Sequence, residues 1–166
     1  FRAETTRGSY VARTILLAIG RRGTPQKLGV PGEELPKTTY RLIEPEQYRD
    51  RRVLVVGGGD SAIEAACSLA EASAADVTLA YRAKAFSRAK PRNRDRLESA
   101  AAAGRVRVLL ETTVAAIEPE SVRLQQSGRD LPLPNDAVIV NAGGVLPTPF
   151  LNSLGVAVER RTGQAL

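Results

Sequence analysis

Four consecutive aliphatic residues, Val53, Leu54, Val55 and Val56, run into Gly57-Gly58-Gly59-Asp60-Ser61-Ala62, and no other stretch restricts the fold as much. An unbroken apolar run of strand length is what a parallel sheet buried on both faces demands. Beyond the glycines, Ala62, Ile63, Ala66, Leu69 and Ala70 form the i, i+3, i+4 stripe of a helix over residues 61–72. A second apolar strand, residues 77–81, ends about twenty residues after the glycines. Strand, glycine turn, helix, strand is the local order by which a chain holds a dinucleotide. Gly57 allows the tight turn, and Gly59 lets backbone amides approach a pyrophosphate with no Cβ in the way. The helix starting near Ser61 offers unpaired N–H groups and the positive end of its dipole to that anion. Ala62 stands where a third glycine would let helix and strand pack closely. The competing reading is a glycine turn that only connects strand to helix.

The end of the second strand selects the cofactor. A chain that prefers NAD places Asp or Glu there, to accept hydrogen bonds from the ribose 2′-hydroxyl. Here the residues are Tyr81-Arg82-Ala83-Lys84, with no acid. A guanidinium matches a phosphate bidentately, so Arg82 points to the 2′-phosphate of NADP(H), with Lys84 and Arg88 as further sources of charge.

The remaining chain supplies the frame. Residues 10–19 read as a strand after a hairpin turn at Arg7-Gly8-Ser9, and residues 20–36 as loop or linker punctuated by glycine and proline. Residues 45–48 suggest one helical turn. A second helix over 94–103, stopped by Gly104, precedes a third strand at 106–110. Residues 112–117 and 121–126 then read as antiparallel strands across Glu118-Pro119-Glu120. A buried strand at 136–140 is closed by Gly143-Gly144 and Pro147, and residues 148–154 suggest a short helix. The expected class is α/β: a Rossmann-like, three-layer NAD(P)-binding domain with a parallel sheet plus an antiparallel β-meander.

Composition removes several alternatives. The chain has 166 residues, 43% hydrophobic and 25% charged, the balance of a globular domain that needs no membrane. No apolar run approaches the ~20 residues of a membrane span. With no histidine and one cysteine, zinc sites and Ser-His-Asp or Cys-His catalysis are excluded within this chain. Cys67, at the edge of the helical stripe, is a small packing residue; a lone cysteine and no secretory signal point to a cytoplasmic setting. The net charge of +6 gathers at Arg82, Lys84, Arg88, Lys90, Arg92, Arg94 and Arg96. That stretch reads either as a solvated helix face or, at its first residues, as a 2′-phosphate site. Phe86 is the one aromatic among these charges, too few for a series of stacking platforms, so a nucleic acid is not the expected partner.

These residues resemble the two-dinucleotide flavoprotein reductases of the thioredoxin reductase-like group, over nearly the whole chain. Residues 10–20 are similar to the strand leaving that family's FAD domain, and Leu28-Gly29-Val30-Pro31-Gly32-Glu33 to the linker after it. Residues 53–66 and Tyr81-Arg82 are similar to the NADPH-domain turn and strand end. Asn141-Ala142-Gly143-Gly144-Val145-Leu146-Pro147 is similar to the return linker. The resemblance implies an NADPH-binding domain at 36–145, with an edge of the FAD domain and a linker at 1–35 and a return segment at 146–166. Hydride would pass from NADPH to FAD and on to a disulfide or an electron carrier.

The departures are as informative. Thioredoxin reductases proper carry Cys-x-x-Cys ahead of the glycine turn; here residues 38–43 hold no cysteine. Bacillithiol-disulfide reductase-like proteins and ferredoxin–NADP reductases of this architecture also lack the pair, and Phe86-Ser87-Arg88-Ala89-Lys90 is closer to the former. Where the family has a second and a third arginine, this chain has Ala83 and Ser87, with Arg88 alongside. The FAD fingerprint and the later Gly-Asp motif are absent, so the chain reads as an excised piece that does not itself hold FAD. Catalytic side chains are not expected, because hydride transfer is cofactor chemistry. Gly143 and Gly144 fit either a close approach to the nicotinamide or a hinge. The expected function is the NADPH-binding part of a flavin-dependent oxidoreductase, inactive in isolation. The alternative is an NADP(H)-binding redox-sensing module without turnover. The final acceptor and the oligomeric state are open.

Overall fold

The computed structural model describes residues 1–18 and 24–159. Its elements in chain order are β1 (Arg2–Thr5), β2 (Gly8–Val11), β3 (Thr38–Thr39), a 3-10 turn (Pro45–Tyr48), β4 (Arg52–Val56), α1 (Asp60–Ala72) and β5 (Asp76–Ala80). Then follow α2 (Pro91–Ala102), β6 (Val106–Leu109), β7 (Thr112–Ile117), β8 (Ser121–Gln126), β9 (Arg129–Pro134), β10 (Ala137–Val140) and α3 (Thr148–Ser153). The chain divides into two compact units, one from Pro25 to Gly144 and one holding the described residues up to Thr24 and from Val145 on.

The larger unit is a three-layer α/β domain. Its central sheet has strand order β3-β10-β4-β5-β6, and every pairing in it is parallel. Alternate residues of the strands feed opposite faces. Val53 and Val55 of β4, with Val77 and Leu79 of β5, pack against Ala62, Ile63, Ala66 and Leu69 of α1 and Leu97 and Ala100 of α2. Leu54, Ala80, Val138 and Val140 face the other way, onto Ile117, Val122 and Leu124. That second face is covered by the antiparallel sheet β7-β8-β9 where a doubly wound domain would have helices. Leu54, Ile63, Leu69 and Ile139 have no exposed surface, so truncating any of them to alanine costs on the order of 2–5 kcal/mol.

The third strand of the meander, β9, is absent from the sequence reading because it contains Pro132 and Pro134. The two prolines are tolerated because β9 pairs only with β8 and forms the edge of its sheet. Leu131 and Leu133 still alternate inward onto the core. Ser127 and Gly128, both at positive φ, make the two-residue turn that sets the register Gln126↔Arg129. The two-residue edge strand β3 is likewise too short to carry a period.

In the smaller unit, the strand expected over residues 10–19 is much shorter. Tyr10 and Val11 end β2, residues 12–18 form no strand, and residues 19–23 lie outside the described residues. β2 pairs with β1 from Thr5↔Gly8 to Arg2↔Val11, and the pairing ends there. The turn falls at Thr6 and Arg7, one residue ahead of the expected Arg7-Gly8-Ser9. No helix among the described residues is long and apolar enough to cross a membrane.

Candidate functional site

The carboxyl ends of β4, β5 and β10 bring together three segments that lie far apart in sequence. β4 separates β5 and β6 on one side from β10 and β3 on the other, so the crevice at its carboxyl end is a topological switch point. In open α/β sheets this is where ligands bind.

Gly57 sits at the centre of that crevice. Its amide continues the ladder by donating to the Ala80 carbonyl (3.0 Å), while the Asn141 amide donates to the Val56 carbonyl (2.8 Å). Its φ of +152° lies in a region that L side chains rarely adopt, and a Cβ there would come within 2.4 Å of the Asn141 carbonyl oxygen. The same Cβ would stand 2.9 Å from the Cβ of Ala62, which is fully buried. Ala62 therefore acts by packing α1 against the turn. At Gly58 a side chain would run into the Tyr81 ring, 2.1 Å away at the nearest atom. The Tyr81 ring in turn stacks on Phe86, with centroids 5.2 Å apart and planes 15° from parallel.

Gly59 is different: a Cβ there would meet nothing within 4 Å. Gly59 caps α1 in extended conformation without a side-chain cap, and its carbonyl accepts the Ala62 and Ile63 amides (3.1 and 3.3 Å). Ser61 is exposed on the first turn of the helix.

The carboxylate of Asp60 is turned away to the loop after β5. Its Oδ1 accepts the backbone amide of Lys90 (2.8 Å) and the side-chain amide of Asn93 (2.7 Å). The bond from the Lys90 amide, then that from Asn93, hold the Asp60 carboxyl below the usual carboxylate range. Asn93 is buried and also donates to Glu64 (2.9 Å). Neither Lys90 nor Asn93 was legible as a site residue, because the tie spans about thirty residues and no local pattern encodes it.

The basic residues separate into two groups. Arg82 and Arg88 are exposed and have no carboxylate partner among the described residues. Lys84 lies 4.0 Å from Glu111, and Arg96 of α2 is bound to Glu71 of α1 at 2.6 Å. Gly143 and Gly144 join the incoming segment: the Gln26 amide donates to the Gly143 carbonyl (3.0 Å), and Gly144 forms an antiparallel bridge with Pro25.

The segment before β3 is pinned to the meander. Gly32, at φ +78°, lies so close to β7 that a Cβ would stand 1.8 Å from the Ile117 carbonyl oxygen. Burial would raise the Glu33 carboxyl, but bonds from the Leu28 and Gly29 amides (both 2.7 Å) and the Tyr40 hydroxyl (3.0 Å) outweigh it and leave it lowered. Cys67 is fully buried in the helix-side core, and burial pushes its thiol up, so it has the environment of a packing residue.

The chain belongs to the pyridine nucleotide-disulphide oxidoreductase family, which it matches over residues 1–165. It is 31% identical over 166 residues to the bacilliredoxin reductase Bdr of Bacillus subtilis, covering 99% of this chain and 51% of that protein. A ferredoxin–NADP reductase of Ignicoccus hospitalis is 32% identical over 154 residues, covering 89% of this chain and 48% of the relative. Among solved structures, the bacillithiol disulfide reductase Bdr of Bacillus cereus matches with a TM-score of 0.78 at 31% identity, over 85% of this chain and 44% of that one. The chain thus spans about half the length of the curated relatives it matches.

Proposed function

We propose that this chain is the NADPH-binding part of a flavin-dependent oxidoreductase, and that Arg82 selects NADPH over NADH. The observation that carries the reading is an exposed guanidinium without a carboxylate partner, one residue past the tyrosine that covers the glycine turn. The open space beside Gly59 and the uncapped first turn of α1 suit the pyrophosphate; the fit to NADP(H) rests on these backbone features and on Arg82 and Arg88. When bound, NADPH supplies the hydride. The residues of this chain bind and orient it, and none acts as acid, base or nucleophile.

The smaller unit supports the flavin-dependent part of the proposal, in which a FAD domain is completed by other parts of the protein. Among the described residues and apart from Ile43, the exposed large hydrophobic residues belong to it, including Tyr10, Val11, Leu16, Phe150 and Leu154. Side chains of this kind are normally covered. We place domain edges near residues 35 and 145, with residues 1–35 and 146–166 as the connection to the FAD domain. The names of its relatives, which refer to bacilliredoxin, bacillithiol disulfide and ferredoxin, support an acceptor of the class of a disulfide or an electron carrier.

Replacing Arg82 by alanine removes one charge-assisted contact, worth about 1.5–3 kcal/mol, or roughly tenfold to a hundredfold in affinity. NADPH binding should weaken by that factor while NADH binding changes little. Equal loss for both cofactors would refute the assignment. In the full-length protein, NADPH oxidation with an artificial acceptor tests for turnover. A folded flavoprotein without turnover would point instead to a redox sensor.

A further inference from the structure

The loop from Tyr81 to Lys90 carries Arg82, Lys84 and Arg88, and it is fastened to the glycine turn at both ends. At its start, the Tyr81 ring lies over Gly58 and stacks on Phe86. At its finish, the backbone amide of Lys90 donates to Asp60, the first residue of α1, and Asn93 on the first turn of α2 donates to the same oxygen. We propose that Asp60 is a positioning residue for cofactor selectivity: it holds the basic loop in register with the glycine turn without touching the 2′-phosphate itself. The inference rests on the NADP(H) reading above.

The electrostatics explain why an acid is useful in such a place. A carboxylate aimed at a pyrophosphate would repel it. Here the carboxylate is spent on α2, whose N-terminus has no capping side chain of its own. Asp60 supplies that cap from another helix, and the positive end of the α2 dipole favours its charge. The lowered Asp60 carboxyl agrees with an anion held by donors at neutral pH. Asn93 is itself fixed, because it is buried and its amide also reaches Glu64. The loop therefore has a rigid anchor at its far end, and Arg82 and Arg88 lie between the two fastenings. Preorganisation of this kind strengthens a contact by removing the entropy cost of ordering it.

The test compares Asp60→Ala, Asp60→Asn and Asn93→Ala with the unaltered chain, using NADPH and NADH as ligands in calorimetric titrations. Asp60→Ala should lower the ratio of NADPH to NADH affinity by at least about fivefold, because one cofactor relies on the loop and the other does not. Asp60→Asn keeps an oxygen acceptor for both donors and should restore most of the ratio. Asn93→Ala, which leaves the Lys90 bond in place, should fall between them. Hydrogen exchange adds a readout without cofactor: the Lys90 amide should lose protection in Asp60→Ala and keep it in Asp60→Asn. An unchanged ratio in Asp60→Ala, or equal loss for both cofactors, overturns the proposal. If the unaltered chain fails to prefer NADPH, the reading of Arg82 fails first. Unchanged Lys90 protection in Asp60→Ala would then overturn the anchor on its own.

Discussion

Single residues in this chain are constrained by what would have to move if they changed. Gly32 is the sharpest case, because a Cβ would meet the Ile117 backbone rather than a side chain that can swing aside. Gly32→Ala should therefore destabilise the fold by about 2–4 kcal/mol, read as a shift in urea midpoint; a loss within the ordinary surface range of about 0.5 kcal/mol would show that the loop is not held as described. Sequence reasoning could name Gly57, Ala62 and Arg82 as candidates because strand, turn and helix are adjacent in the chain. It gave Gly57 its turn, and the structure adds the reason for strictness: the neighbouring Asn141 carbonyl and the Ala62 methyl leave no room. It could not reach the partners of Asp60, the ring over Gly58 or the docking of Gly32, each of which depends on pairs of residues brought together only by the fold.

Among the elements, those buried on both faces were the most legible. β4, β5 and β10 announce themselves as apolar runs, and the helix over 60–72 by its stripe. The edge strands β3 and β9 did not, since one is two residues long and the other carries two prolines. β4 and β10 are also clasped at their starts. The Asp136 carboxylate accepts from Arg52 through the backbone amide (2.8 Å) and through the guanidinium (2.9 and 2.6 Å). The guanidinium bonds, then the amide bond, hold the Asp136 carboxyl far below its ordinary value. A folded-state value below the unfolded one, about 3.9, stabilises the fold at neutral pH, and that contribution fades as pH falls through the folded value. Asp136→Asn should thus lower stability at pH 7, with the gap to the unaltered protein narrowing progressively below about pH 4. Denaturant midpoints at pH 7 and in acid measure this; a gap of constant size would contradict the clasp.

At the scale of the whole molecule, the two units differ in what they hide. The unit from Pro25 to Gly144 has a complete two-sided core, whereas the other exposes its large apolar side chains. That contrast is why the proposed cofactor-holding role is given to the larger unit. A ligand that binds only the folded state raises stability by about 2.7 kcal/mol at a hundred times its Kd, so NADPH should protect the chain against unfolding at concentrations where NADH does not. The most direct test of the central claim is a parallel titration of this chain with NADPH and NADH at one ionic strength. NADPH should bind at least about tenfold more tightly, the weaker end of one charge-assisted contact. Equal affinities, or tighter binding of NADH, would contradict it.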